Sequence, residues 1–80
     1  MSAFYERLIV LLTTKLGVSH EDVSPDATFE DLDMDSLALV ELTDILDAEF
    51  GISIEEGAVG KQTTLADVAK VLETYLVDPR

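Results

Sequence analysis

Between Ser36 and Gly51 the chain carries the pattern that most limits how it can fold. At about 100° per residue, Leu39, Leu42, Leu46 and Phe50 fall on one narrow stripe, which predicts a helix from about Leu37 to Phe50. Leu37, Val40, Glu41, Asp44 and Ala48 lie on the opposite side, with Ser36 and Asp47 at its margin. Gly51 stops the segment in the manner of a C′ glycine, where a left-handed backbone closes the last turn. The apolar stripe needs a partner. Ile52 and Ile54 alternate with Ser53, but the run is too short to supply a sheet.

Other helices supply it. Phe4, Leu8, Leu11, Leu12 and Leu16 recur at helical spacing, predicting a helix from about Ala3 to Leu16, with Ser2 as N-cap and Gly17 as the stop. Thr63 or Thr64 is expected to cap a last helix with Asp67 in its first turn and Leu65, Val68, Ala69, Leu72 and Leu76 as its stripe. Ile52 and Ile54 read as an extended connector whose side chains close the core. Glu55 to Val59 is expected to form a brief third helix, weakened by Gly57 and Gly60, each glycine costing about 1 kcal/mol relative to alanine inside a helix. Residues 18 to 35 show no sustained period; they hold the turn signal Ser24-Pro25-Asp26 and anchors at Val18, Val23, Phe29 and Leu32. A loop of that length belongs in a compact domain when it is functional, and a helical turn within it is expected. The expected fold is therefore all-α: a small bundle of three longer helices plus one short helix, with a long loop between helices one and two. Residues 1 to 80 are expected to form a single domain.

Charge and composition narrow the function. Seventeen acidic residues against five basic ones give a formal charge of −12, which repels nucleic-acid phosphates and anionic lipid surfaces and favours partners with basic patches. No signal-like or stop-transfer segment is apparent, and no apolar run approaches the roughly 20 residues needed to span a bilayer, so a soluble monomer is expected. Cysteine is absent, which excludes a disulfide framework and a nucleophilic thiol and suits a cytoplasmic setting.

The run Asp31-Leu32-Asp33-Met34-Asp35-Ser36-Leu37 places a primary hydroxyl at the start of the best-defined helix. Ser36 could be its N-cap, but Asp35 can cap equally well, and then Ser36 falls in the first turn with its hydroxyl free. Serine catalysis lacks its partners: the single histidine, His20, lies in the long loop beside Glu21 and Asp22, and there is no Gly-x-Ser-x-Gly elbow. Asp31, Asp33 and Asp35 open like a calcium loop, yet its sixth and twelfth positions hold Ser36 and Leu42 rather than glycine and glutamate. No metal site is assigned. An exposed serine ringed by carboxylates suits display of a bulky modification.

The triplet Asp35-Ser36-Leu37, preceded by Phe29 and Asp31-Leu32 and followed by Val40-Glu41-Leu42 and Phe50, resembles the acyl carrier proteins of fatty-acid and polyketide synthesis. The resemblance covers nearly the whole chain, from Leu16-Gly17-Val18 through Ile54 to Thr63-Thr64. It implies a non-catalytic carrier whose Ser36, flanked by Asp35 and Leu37, receives 4′-phosphopantetheine from coenzyme A through a phosphopantetheinyl transferase. Acyl groups would then ride on the arm's thiol as thioesters. It also implies docking to ketosynthase, acyltransferase and other synthase enzymes. The outer helix face supplies the means: Leu37 and Val40 as a small apolar patch, bordered by Glu41, Asp44 and Asp47. That composition suits fast, electrostatically steered, brief encounters.

The chain departs from the family pattern at Asp33, where glycine is usual, at Ala38 and Asp44 on the docking helix, and at Glu55, where proline is frequent. Ala38-Leu39 and the glycine-bearing third segment resemble discrete carriers of bacterial polyketide or other specialised pathways somewhat more than housekeeping fatty-acid carriers. A peptidyl carrier fits less well, since the Gly-Gly-x-Ser signature is missing. Met1 and the short tail 77–80 suggest a free-standing chain. An acidic interaction module without a cofactor and a weak calcium-binding helical protein remain alternatives.

Overall fold

The computed structural model describes residues 3–55 and 57–77, with the side chain of Val77 excepted. Ser2, the expected first N-cap, lies outside them. Three helices form: α1 (Ala3–Lys15), α2 (Ser36–Phe50) and α3 (Leu65–Val77). A short 3-10 turn, His20–Asp22, sits in the loop after α1. The architecture is the expected small all-helical bundle, with a long loop joining its first two helices.

Each helix buries the middle of the stripe that its spacing marks, while Phe4, Leu16 and Phe50 at the stripe ends are partly buried. Leu8, Leu11 and Leu12 of α1, Leu39, Leu42 and Leu46 of α2, and Leu65, Val68, Ala69 and Leu72 of α3 are buried, and α1 packs on α3. Leu76, expected on the α3 stripe, is left exposed near the helix end. Phe4 and Phe50 close one side of the bundle edge-to-face, ring centroids 6.2 Å apart. Arg7 of α1 pairs with Glu49 of α2 across the surface. No described polar or charged residue is buried, so the core is held by apolar packing alone.

The loop after α1 is built from local turns. Gly17 takes a φ of +71° and the Val18 N–H returns to the Leu12 carbonyl, ending α1. The Ser24-Pro25-Asp26 turn closes through Ala27 N–H to Ser24 O. One helical turn then follows. At its start Thr28 and Asp31 cap each other's backbone: Asp31 N–H donates to Thr28 Oγ1 and Thr28 N–H to Asp31 Oδ2, both at 3.1 Å. At its end Asp33 N–H donates to Glu30 O and Met34 N–H to Phe29 O, with Asp33 left-handed at φ +59°. That is the Schellman arrangement, with aspartate in the place glycine usually takes. Phe29, at the root of this turn, is fully buried.

Long-range pairing fixes the loop to the rest. Thr28 and Thr64 form an isolated antiparallel bridge, Leu65 N–H donates to Ala27 O, Ala66 N–H to Pro25 O, and Glu30 N–H to Lys61 O. The segment leading into α2 is thus tied along the segment leading into α3. Thr64 caps α3, taking the Asp67 N–H on Oγ1 at 3.1 Å.

Between α2 and α3 the chain is extended and then turned. Ile54 is buried and Ile52 partly so, as expected of the connector. The brief helix expected at Glu55 to Val59 does not form among the described residues. Ala58 N–H reaches Glu55 O, a single turn, and Gly57 at φ +89° cannot continue a right-handed helix. Val59 is nonetheless buried, so this segment packs as a turn with one apolar anchor.

Candidate functional site

The start of α2 decides what the Ser36 hydroxyl can do. Asp35 is extended, at φ −87° and ψ −177°, and its Oδ1 accepts the Ala38 N–H at 2.8 Å. Asp35 is therefore the N-cap, and Ser36 is the first helical residue. Among the described residues the Ser36 hydroxyl has no hydrogen-bond partner, and the residue is exposed. The choice that sequence left open between capping and display falls to display. The amides of Ser36 and Leu37, at the first two helical positions, have no carbonyl one turn back, so this end of α2 favours an anion.

Two clefts lie at this end of α2, the first of them lined by Ser36 itself. One, of about 310 Å³, is lined by Ser36, Leu39, Val40 and Thr43 of α2 and by Gly57, Val59, Gly60 and Lys61 opposite. The other, of about 220 Å³, lies among Glu30, Asp33, Met34, Asp35 and Lys61. Sequence reading did not place the residues 57–61 at the site. A signal was present: Lys61 is the only lysine or arginine between Lys15 and Lys70.

The outer face of α2 carries the other expected residues. Leu37 is 67 % exposed and Val40 55 %, large values for apolar side chains. Glu41 and Asp44 are exposed on the same side, so Leu37, Val40, Glu41 and Asp44 follow one another at helical spacing over two turns. Asp47 is different. It is half-buried, and its Oδ1 accepts the Ile54 N–H at 2.9 Å. Its carboxylate holds the connector.

A nucleophile's supporting groups are not gathered here. His20 is exposed in the 3-10 turn, next to Glu21 and Asp22. The carboxylates of Asp31 and Asp35 each accept a backbone N–H, and among the described residues no three His, Cys, Asp or Glu side chains converge as a metal site would require. Among those residues no helix is long and apolar enough to cross a membrane.

The arrangement is an exposed alcohol at a helix start beside an apolar-walled cleft, and it fits a covalently attached phosphate-bearing group. Comparison with known proteins agrees. A family model described as the phosphopantetheine attachment site matches residues 6–72. An acyl carrier protein of Petrotoga mobilis is 36 % identical over 73 residues, spanning 90 % of this chain and 86 % of that protein. The chain belongs to the acyl carrier protein family, non-catalytic carriers of acyl groups on covalent 4′-phosphopantetheine.

Proposed function

We propose that Ser36 is the residue that bears the arm. The observation that carries this reading is the capping of Ala38 by Asp35, which leaves the adjacent hydroxyl unbonded and in water. A transferase can then reach the oxygen. Ser36 Oγ forms a P–O bond to the pantetheine-bearing phosphate, the pyrophosphate bond of coenzyme A breaks, and adenosine 3′,5′-bisphosphate leaves as the hydroxyl proton passes to the transferase. Once bound, the arm supplies a thiol that holds acyl groups as thioesters. The two free amides at the start of α2 favour the phosphodiester's negative charge.

The docking surface in this reading is the outer side of α2. Leu37 and Val40 give an apolar contact too small for a lasting complex, while Glu41 and Asp44 steer basic patches of the transferase, ketosynthase and acyltransferase toward it. Asp47 adds charge at the margin while holding Ile54. In this reading the carrier acts as a soluble cytoplasmic monomer. The Ala38-Leu39 pair and the glycine-bearing turns at 57–60 favour a polyketide or other specialised pathway over housekeeping fatty-acid synthesis.

The test is intact mass after incubation with coenzyme A and a broad-specificity transferase. Wild type gains one phosphopantetheine and Ser36→Ala gains none. A gain in Ser36→Ala moves the attachment elsewhere. No gain in wild type leaves the acidic interaction module as the better reading. Mass spectra of the carrier isolated with its cargo identify the pathway.

A further inference from the structure

Lys61 is a cation with an unexplained position. Acidic side chains outnumber basic ones 17 to 5, and Lys61 lines both clefts beside the Ser36 end of α2. Glu30, Asp33 and Asp35 line the second of these clefts with it, yet among the described residues Lys61 forms no ion pair. Its backbone, by contrast, is fixed. Lys61 O accepts the Glu30 N–H at 2.9 Å, and the turn around it closes through Gly60 N–H to Thr63 Oγ1 and Thr63 N–H to Gly60 O. The loop leading to Ser36 and the turn carrying Lys61 are therefore one framework, and only the flexible side chain of Lys61 has to be ordered.

Loading of Ser36 adds a further negative charge to a surface that already holds Asp31, Asp33 and Asp35. The start of α2 offsets part of that repulsion. We propose that Lys61 offsets the rest: its ammonium is the resident counter-ion of the phosphodiester on Ser36, drawing the base of the arm to the 57–61 side of the helix start. The opposite side, with Leu37 and Glu41, then stays clear for partner enzymes. The ion pair is solvent-exposed, so it is a screened, populated contact rather than a permanent clamp.

This inference rests on Ser36 as the attachment site, and its test begins with holo-protein whose mass gain, and whose absence in Ser36→Ala, have been verified. Phosphorus NMR and lysine side-chain spectra are then recorded for wild type, Lys61→Gln and Lys61→Arg. The expected result is that the Lys61 methylene signals next to the ammonium shift on loading while those of Lys15 and Lys70 do not. The wild-type phosphorus resonance should move toward that of the same phosphodiester in urea-unfolded holo-protein as salt rises to about 1 M, where screening acts within a few ångströms. Lys61→Gln should begin near that position and lose the salt response, and Lys61→Arg should behave as wild type. Unmoved Lys61 signals, an unchanged phosphorus resonance in Lys61→Gln, or Lys61→Arg behaving as Lys61→Gln would each overturn the proposal, with the attachment at Ser36 still intact.

Discussion

The Asp47 carboxylate accepts the Ile54 N–H at 2.9 Å, while the Asp47 backbone carbonyl accepts the N–H groups of Gly51 and Ile52. One residue thus terminates α2 and sets the direction of the connector. Asp47→Ala should lower the unfolding free energy by about 1–2 kcal/mol, between the values for a neutral hydrogen bond and for one to a charged group, because Asp47 is only half-buried. Asp47→Asn, which keeps an acceptor, should recover most of it. Urea unfolding measures both; Asp44→Ala, on the exposed face, serves as the control and should stay within about 0.5 kcal/mol of wild type.

Asp33 occupies a left-handed position at φ +59°. Aspartate tolerates this conformation better than most residues, and a β-branched side chain tolerates it poorly. By chemical denaturation, Asp33→Gly should match wild type, Asp33→Ala should be less stable and Asp33→Val least stable, over a span of about 1–2 kcal/mol. Glycine gains little over aspartate because it also frees the unfolded chain. If Asp33→Val were as stable as wild type, the turn before Ser36 would not hold this geometry.

Asp35 and Ser36 should separate cleanly. Asp35→Ala removes the N-cap of α2 and should cost about 1 kcal/mol. Ser36→Ala removes a hydroxyl with no partner among the described residues, so its melting temperature should match wild type while loading is abolished. A destabilised Ser36→Ala would mean that the hydroxyl, not Asp35, caps the helix.

Docking on α2 is tested by Glu41→Lys and Leu37→Ala. Both side chains are exposed, so stability should hardly change, while acyl transfer to and from partner enzymes should slow. The Glu41→Lys effect should shrink with added salt, since the attraction it reverses is screened, and the Leu37→Ala effect should not. Equal transfer rates for both variants and wild type would place docking elsewhere.

The Arg7–Glu49 pair joins α1 to α2, and the hydrogen bond from Arg7, with its charge, holds the Glu49 carboxyl below the ordinary carboxylate range. A carboxyl depressed in the folded state stabilises the fold above its unfolded pKa and loses that contribution as pH falls through its folded pKa. Any melting-temperature gap between wild type and Glu49→Gln should therefore be constant around neutrality and close in acid, below the usual glutamate range. A gap that widened in acid would contradict the pairing.

Much of the site was legible because its signals are local. The stripe Leu39, Leu42, Leu46 and the stop at Gly51 lie within a few turns of one another, and so does the competition between Asp35 and Ser36 for the capping role. The left-handed turn at Asp33 is equally local but was hidden, because aspartate stands where glycine would have announced it. The expected helix at 55–59 failed for the opposite reason. Helical propensity was already weak there, and Gly57 lies within the turn, at positive φ, that lets Val59 reach the core.

Length, periodicity and charge by themselves determined three helices, an acidic surface and a serine at the mouth of the second helix, since each depends on neighbours within a turn or on simple totals. Only the tertiary structure decided which groups share that mouth. The Thr28–Thr64 bridge and the Glu30–Lys61 hydrogen bond join segments far apart in the chain, carrying Val59 and Lys61 to the serine. Contacts of that separation follow from how the buried faces pack together, and packing is a property of the whole core that no single segment's spacing records.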